Sequence, residues 1–77
     1  MNTFYIKLST IEDIRKFVDA VTRRDYDIDL SSGRYVVDAK SIMGIFSLDL
    51  SKPIDLNIHS ESDVDEILAK LAPFIVD

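Results

Sequence analysis

The chain has 77 residues, of which 47% are hydrophobic and 30% are charged, and its formal net charge is −5. This length and balance predict one globular domain over residues 1–77 and exclude a disordered chain. The negative charge argues against direct binding to nucleic acid or to anionic membranes. Because the chain has no cysteine, disulfides are excluded. With His59 as its single histidine, we expect neither a metal site nor a cofactor.

The apolar segments are short. None approaches the ~20 residues that a membrane span requires. Residues 1–5 lack a basic region followed by an apolar stretch, so no signal peptide is expected. These features together predict a cytoplasmic protein.

Residues 3–8 alternate between apolar and polar side chains, which is typical of a half-buried strand. A helix is predicted from about Ile11 to Arg23, because apolar residues follow at helical spacing. These residues form one stripe: Ile11, Ile14, Phe17, Val18 and Val21. Arg23 and Arg24 fit a helix end, where the helix dipole favours cations, better than they fit a phosphate site.

Small polar residues mark the helix starts. At the first helix, either Ser9 with Glu12 or Thr10 with Asp13 can form a capping box. Residues 60–63 are predicted to cap the last helix, where acidic side chains suit the positive end of its dipole.

The middle of the chain reads as a hairpin followed by a short helix. Residues 25–30 alternate, residues 31–33 form a turn in which Gly33 adopts a positive φ, and residues 34–39 return as a strand. Ser41 is the predicted N-cap of a short helix or helical turn over residues 42–46, which Gly44 weakens by about 1 kcal/mol relative to Ala. The side chains expected to face the core are Tyr26, Ile28, Leu30, Val37 and Ala39.

A fourth strand is predicted over residues 54–59 and a last helix over residues 62–72, which Pro73 ends or kinks. The order β-α-β-β-α-β-α predicts an α+β fold in which helices cover one face of a four-stranded antiparallel sheet. The buried faces of the strands are expected to include Leu8, Ile28, Val37, Leu56 and Ile58.

The segment Lys40-Ser41-Ile42-Met43-Gly44, followed by Ser47 and Leu48, resembles the regulatory-serine segment of HPr in Gram-positive bacteria. HPr is the histidine-containing phosphocarrier of the bacterial sugar phosphotransferase system. The segment also lies where the family has it, after a hairpin and before a fourth strand. The resemblance covers nearly the whole chain, although outside this segment it rests on pattern rather than identity. It implies an HPr-like open-faced sandwich and a protein that is not an enzyme.

The chain departs from that family at the active site. HPr proteins carry a histidine just before the first helix, followed by Arg and Pro. Matching Phe17 and Val18 to the family's first-helix core places the histidine position at Thr10, and the other two at Glu12 and Asp13. A phosphocarrier needs an imidazole nucleophile among cationic and backbone donors, whereas threonine is a poor nucleophile and carboxylates repel phosphate. His59 is expected at the far end of the fourth strand and is no replacement.

Two interpretations remain open for the short helix. Ser41 is either a plain N-cap or, as the resemblance implies, a phosphorylation site for a dedicated HPr kinase, with Lys40 beside it. Three neighbouring apolar residues are either core or an exposed surface that binds partners: Ile42, Met43 and Phe46. Ile45 and Leu48 are the pair expected to be buried.

The leading hypothesis is an HPr-like regulatory or protein-interaction module that has lost phosphocarrier chemistry. It would be linked to sugar phosphotransferase or catabolite regulation, with an HPr kinase or a transcription regulator as partner. One alternative is a phosphocarrier that acts through an unexpected residue. Another is a small binding domain of unrelated role, in which Ser41 is inert.

Overall fold

The computed structural model describes residues 2–76, and these contain five strands and three α-helices in the predicted order. The strands are β1 Asn2–Ile6, β2 Ile28–Ser32, β3 Tyr35–Asp38, β4 Ile54–Ile58 and β5 Ile75–Val76. The helices are α1 Ile11–Thr22, α2 Ile42–Phe46 and α3 Val64–Leu71, and a 3-10 turn at Ala72–Phe74 follows α3. None of the helices within residues 2–76 is long and apolar enough to cross a membrane.

The strands form one antiparallel sheet in the spatial order β3-β2-β4-β1-β5, and the helices pack on one face of it. The α+β open-faced sandwich is therefore confirmed, but the prediction of four strands is wrong by one. The fifth strand forms because the turn after α3 brings the chain back alongside β1, where the Lys7 amide donates to the Phe74 carbonyl at 2.8 Å. A strand of two residues is too short to show alternation in the sequence.

The core lies between the inner face of the sheet and the apolar stripes of the helices. Leu8, Ile28, Leu56 and Ile58 are fully buried as predicted, whereas Val37 is only half-buried because β3 is an edge strand. On the helices, the core residues are Ile14, Phe17, Val21, Ile67 and Leu71. The ring of Phe17 meets that of Phe74 edge to face, with centroids 6.3 Å apart.

Two residues predicted to face the core behave differently. Ile11 has the spacing of the apolar stripe, yet 60% of it is exposed. It is the first residue of α1, at the end of the helix, where the core does not cover it. Tyr26 was assigned to a strand, but β2 begins only at Ile28. Tyr26 is half-buried against the core, and its hydroxyl is held by a side chain from the start of α3.

Candidate functional site

The start of α1 carries an N-cap and two acidic residues, and we call Thr10, Glu12 and Asp13 the acidic cap. Thr10 is the N-cap, and its Oγ1 accepts a hydrogen bond from the Asp13 amide at 3.0 Å. The Asp13 carboxylate in turn accepts from the Ser9 amide at 3.1 Å. Of the two predicted capping boxes, the pair Thr10 and Asp13 is the one engaged, although the Asp13 carboxylate bonds to the Ser9 amide and not to that of Thr10; Glu12 is exposed in the same turn. Carboxylates here offset the positive end of the helix dipole, so the site disfavours a further anion.

His59 lies at the other end of the sheet. Its neighbour Ile58 is registered with Asn2 at the first residue of β1, whereas α1 begins after the last residue of that strand. The length of β1 corresponds to roughly 13 Å at about 3.4 Å per residue. His59 is exposed, and its Nε2 lies 2.7 Å from Oδ2 of Asp29. It thus closes a strand, as predicted, and does not approach the start of α1.

Ser41 caps α2. Its Oγ accepts from the Gly44 amide at 3.1 Å, and its carbonyl accepts from the Ile45 amide at 3.0 Å. The sequence prediction of an N-cap is therefore confirmed. A Cβ atom at Gly44 would lie 3.1 Å from Cβ of Val37. The glycine that weakens this short helix is thus the residue that lets α2 approach β3 closely.

The apolar residues of α2 divide between core and surface. Ile45 is fully buried and Leu48 is 7% exposed, as predicted. In contrast, Met43 is 75% exposed and Phe46 is 46% exposed, while Ile42 packs partly against the core. We call Ile42, Met43 and Phe46 the α2 patch. Two of its three residues present most or half of their surface to solvent.

Lys40 is held by the backbone of another loop. Its Nζ donates to the carbonyl of Arg24 at 2.6 Å and to that of Tyr26 at 2.9 Å. Its own amide donates to Oδ1 of Asp38 at 2.9 Å. The ammonium group therefore fastens the loop after α1 to the start of α2, in addition to lying next to Ser41 in the chain.

A polar cluster joins that loop to α3, and the sequence reasoning missed it. Oδ2 of Asp63 accepts from the Tyr26 hydroxyl at 2.6 Å and from Nη1 of Arg24 at 3.0 Å. Glu66 lies 3.8 Å from the same guanidinium. Residues 60–63 are predicted to cap α3, and Asp63 is its N-cap residue, but the Asp63 side chain makes no cap hydrogen bond. Tyr26 and Asp63 are 37 residues apart in the chain, so no local pattern links them. The only signal in the sequence is that Tyr26 is an aromatic residue in an alternating run.

The cluster shifts two pKa values in opposite directions. Burial, together with the hydrogen bond to Asp63 and the charge of that residue, raises the pKa of Tyr26 to about 12. The hydrogen bond from Tyr26 is the main cause that lowers the pKa of Asp63, and the nearby Arg24 adds to it. The protonated phenol and the ionised carboxylate therefore stabilise each other.

We expect the absorbance of tyrosinate at 295 nm to rise with a component whose midpoint is about pH 12. Tyr26→Phe should remove this component, and Asp63→Asn should move it to lower pH because the neighbouring negative charge is lost. The raised pKa makes the contribution of Tyr26 to stability complete below pH 10.0, and that contribution is lost as the pH rises through about 12. A titration unchanged by Asp63→Asn would contradict this pairing.

Comparison with known proteins gives a family. No curated protein and no solved structure matches the chain significantly. The family model described as "PTS HPr component phosphorylation site" matches residues 13–77. That range begins in the first turn of α1 and includes α2 with Ser41. Since the match spans well over half of the sequence, and the fold is the open-faced sandwich that the sequence predicted, the chain belongs to the HPr family of phosphocarrier-like proteins of the sugar phosphotransferase system.

Proposed function

We propose that this HPr-family chain is a regulatory, protein-interaction module that does not carry phosphoryl groups on a histidine. It would act in the cytoplasm, in sugar phosphotransferase or catabolite regulation. The acidic cap at the start of α1 is the observation that carries the proposal. Thr10, which we align with the family's histidine position, is engaged as a helix cap, and the carboxylate of Asp13 bonds to the amide before it.

The electrostatics of this turn oppose phosphoryl transfer. A phosphocarrier stabilises the transferred group with donors and positive charge. Here the first turn of α1 presents Glu12 and Asp13 instead. One carboxylate about 4 Å from a phosphate charge costs about 1 kcal/mol even in water. The only imidazole of the chain, that of His59, lies beyond the opposite end of β1.

Ser41 is the residue that we propose to be regulated by phosphorylation. It occupies the N-cap of α2 in an extended backbone conformation, with a φ of −102°. The amides of Ile42 and Met43, in the first turn, have no acceptor within the helix. A phosphate on Ser41 would accept hydrogen bonds from such amides, and charge-assisted bonds are about twice as strong as neutral ones. Phosphorylation would therefore tighten α2 rather than unfold the domain.

The α2 patch is the proposed contact surface. Met43 and Phe46 are exposed beside Ser41 in the chain, and a flexible thioether next to an aromatic ring suits adaptable binding. Phosphorylation would add negative charge next to these apolar groups. A partner that reads the phosphorylated surface would offer an apolar pocket ringed by Arg or Lys, which fits an HPr kinase or a transcription regulator.

We expect an HPr kinase supplied with ATP to phosphorylate Ser41, as mapped by mass spectrometry. Ser41→Ala should abolish the modification. Met43→Asp should slow it several-fold because the apolar contact is lost, whereas Ala69→Asp, which adds the same charge at an exposed residue of α3, should not.

The positive control is a true HPr in the same tube. If that HPr is phosphorylated while Ser41 stays unmodified, the regulatory part of the proposal is wrong. If Ser41 were phosphorylated at the same rate in Met43→Asp and Ala69→Asp, the proposal that the kinase binds the α2 patch would be wrong.

A further inference from the structure

The edge strand β3 exposes two large apolar side chains that do not belong to the α2 patch. Tyr35 is 69% exposed and Val36 is 64% exposed, and β3 has only one neighbour in the sheet, β2. The opposite edge is β5, which spans only Ile75–Val76. Within residues 2–76, β3 is therefore the longer of the two strands at the edges of the sheet. Proteins usually protect such an edge strand from pairing by keeping it short or by placing charged side chains on it.

The register of β3 on β2 fixes which of its backbone groups point to the free edge of the sheet. The Ala39 amide donates to the Ile28 carbonyl at 2.9 Å, which makes this a hydrogen-bonded pair of the β2–β3 ladder. Because such pairs alternate along antiparallel strands, Val37 and Tyr35 also bond to β2. The amide and carbonyl of Val36 and the amide of Asp38 consequently point to the free edge. The Asp38 carbonyl is already used, since it accepts from the Ser41 amide at 3.0 Å.

The charged residues at the two ends of this segment have opposite signs: Asp38 is the last residue of β3, and Arg34 lies in the turn just before the strand. Asp38 lies directly across from Asp29 on β2, and like charges in that position destabilise a sheet. Asp29 is bonded to His59 at 2.7 Å, whereas the carboxylate of Asp38 is bonded only to the Lys40 amide among the described residues. Arg34, at the other end, is exposed and makes no ion pair with any residue between 2 and 76.

We propose that β3 pairs antiparallel with β3 of a second copy of this chain, about a two-fold axis at Val36. In that register the outward-pointing amide and carbonyl of Val36 bond to those of the second Val36. Arg34 of each copy then lies opposite Asp38 of the other, and Tyr35 lies opposite Val37. The sequence of residues 34–38, which is β3 together with the last residue of the turn before it, is self-complementary in this direction, as a two-fold interface requires. Each Asp38 also gains the cation that its own chain does not provide.

The dimer is weak and reversible. Stable protein interfaces bury at least about 1,200 Å² in total, and a contact along one four-residue strand falls below that. The pairing is a form of strand addition, in which the backbone supplies affinity and side chains at alternate positions supply specificity. Although α2 packs against β3, the pairing uses neither Ser41 nor any residue of the α2 patch, so it does not depend on the function proposed above.

Sedimentation velocity of the full chain tests the proposal, at concentrations up to about 1 mM, the weak end of specific association. We expect a concentration-dependent monomer–dimer equilibrium. Val36→Lys should weaken it at least ten-fold, while Tyr5→Lys, the same change at an exposed residue of the interior strand β1, should not. Arg34→Asp should also weaken it, and the double change Arg34→Asp with Asp38→Arg should restore it.

Three outcomes would overturn the proposal. The first is a wild-type chain that stays monomeric at the highest concentration. The second is a dimer that tolerates Val36→Lys, which would place the contact elsewhere. The third is a charge-exchanged variant that fails to recover association although its circular dichroism spectrum and unfolding transition match the wild type.

Discussion

Phe17→Ala should leave the domain close to unfolded at 37 °C. The side chain is fully buried and packs edge to face on Phe74, the residue that leads into β5. Removing a buried phenylalanine costs about 3–5 kcal/mol. A domain of this length has a net stability of only about 4–12 kcal/mol, so one residue accounts for a large share of it. In urea, we expect the transition midpoint to fall by roughly half, with little change in slope.

The matched control is Phe46→Ala, the same truncation at a residue that is 46% exposed on α2. It should cost less than about 1 kcal/mol, because nearly half of this residue already contacts water. Thermal unfolding should separate the two variants by about 10 °C or more, since 1 kcal/mol shifts the midpoint by about 4–8 °C in so small a domain. If both variants lost the same free energy of unfolding, the assignment of Phe17 to the core and of Phe46 to the surface would be wrong.

Most of the fold could be predicted because its elements have clear periodicity. The stripe of α1 and the alternation of β4 each required only neighbouring residues to interpret, and both elements lie within two residues of the predicted bounds. The predictions were wrong where local pattern and three-dimensional context diverge. Ile11 has core spacing but sits at the end of its helix, and Ile75 with Val76 becomes a strand only because the chain returns beside β1.

The candidate site was predictable to the extent that it is local. The caps formed by Thr10 and Ser41 each involve residues three positions apart, which sequence reasoning handles well. The contacts of Lys40 with the loop after α1, and those of Asp63 with Tyr26 and Arg24, join residues separated by 14 to 39 positions. No spacing rule indicates such pairs. Whether α2 residues are core or surface likewise depended on how closely Gly44 lets that helix approach β3.

The proposed loss of phosphocarrier chemistry has the largest predicted effect of all. A true HPr accepts a phosphoryl group on its histidine from the general phosphotransferase enzyme. In this chain the corresponding position is proposed to be Thr10, whose Oγ1 caps α1, and the first turn of that helix carries two carboxylates, Glu12 and Asp13. Without an imidazole to attack the phosphoryl group, and with negative charge around the site, transfer has neither a nucleophile nor a stabilised transition state.

The most direct measurement is phosphoenolpyruvate-dependent labelling of the purified chain by the general phosphotransferase enzyme, with a true HPr labelled in parallel. His59→Ala provides the background, since it removes the only imidazole in the sequence. We predict no acid-labile phosphate on the wild-type chain above that background, while the true HPr is labelled to completion. Acid-labile phosphate that appears on the wild-type chain and is lost in His59→Ala, or that maps to residues 9–13, would contradict the claim.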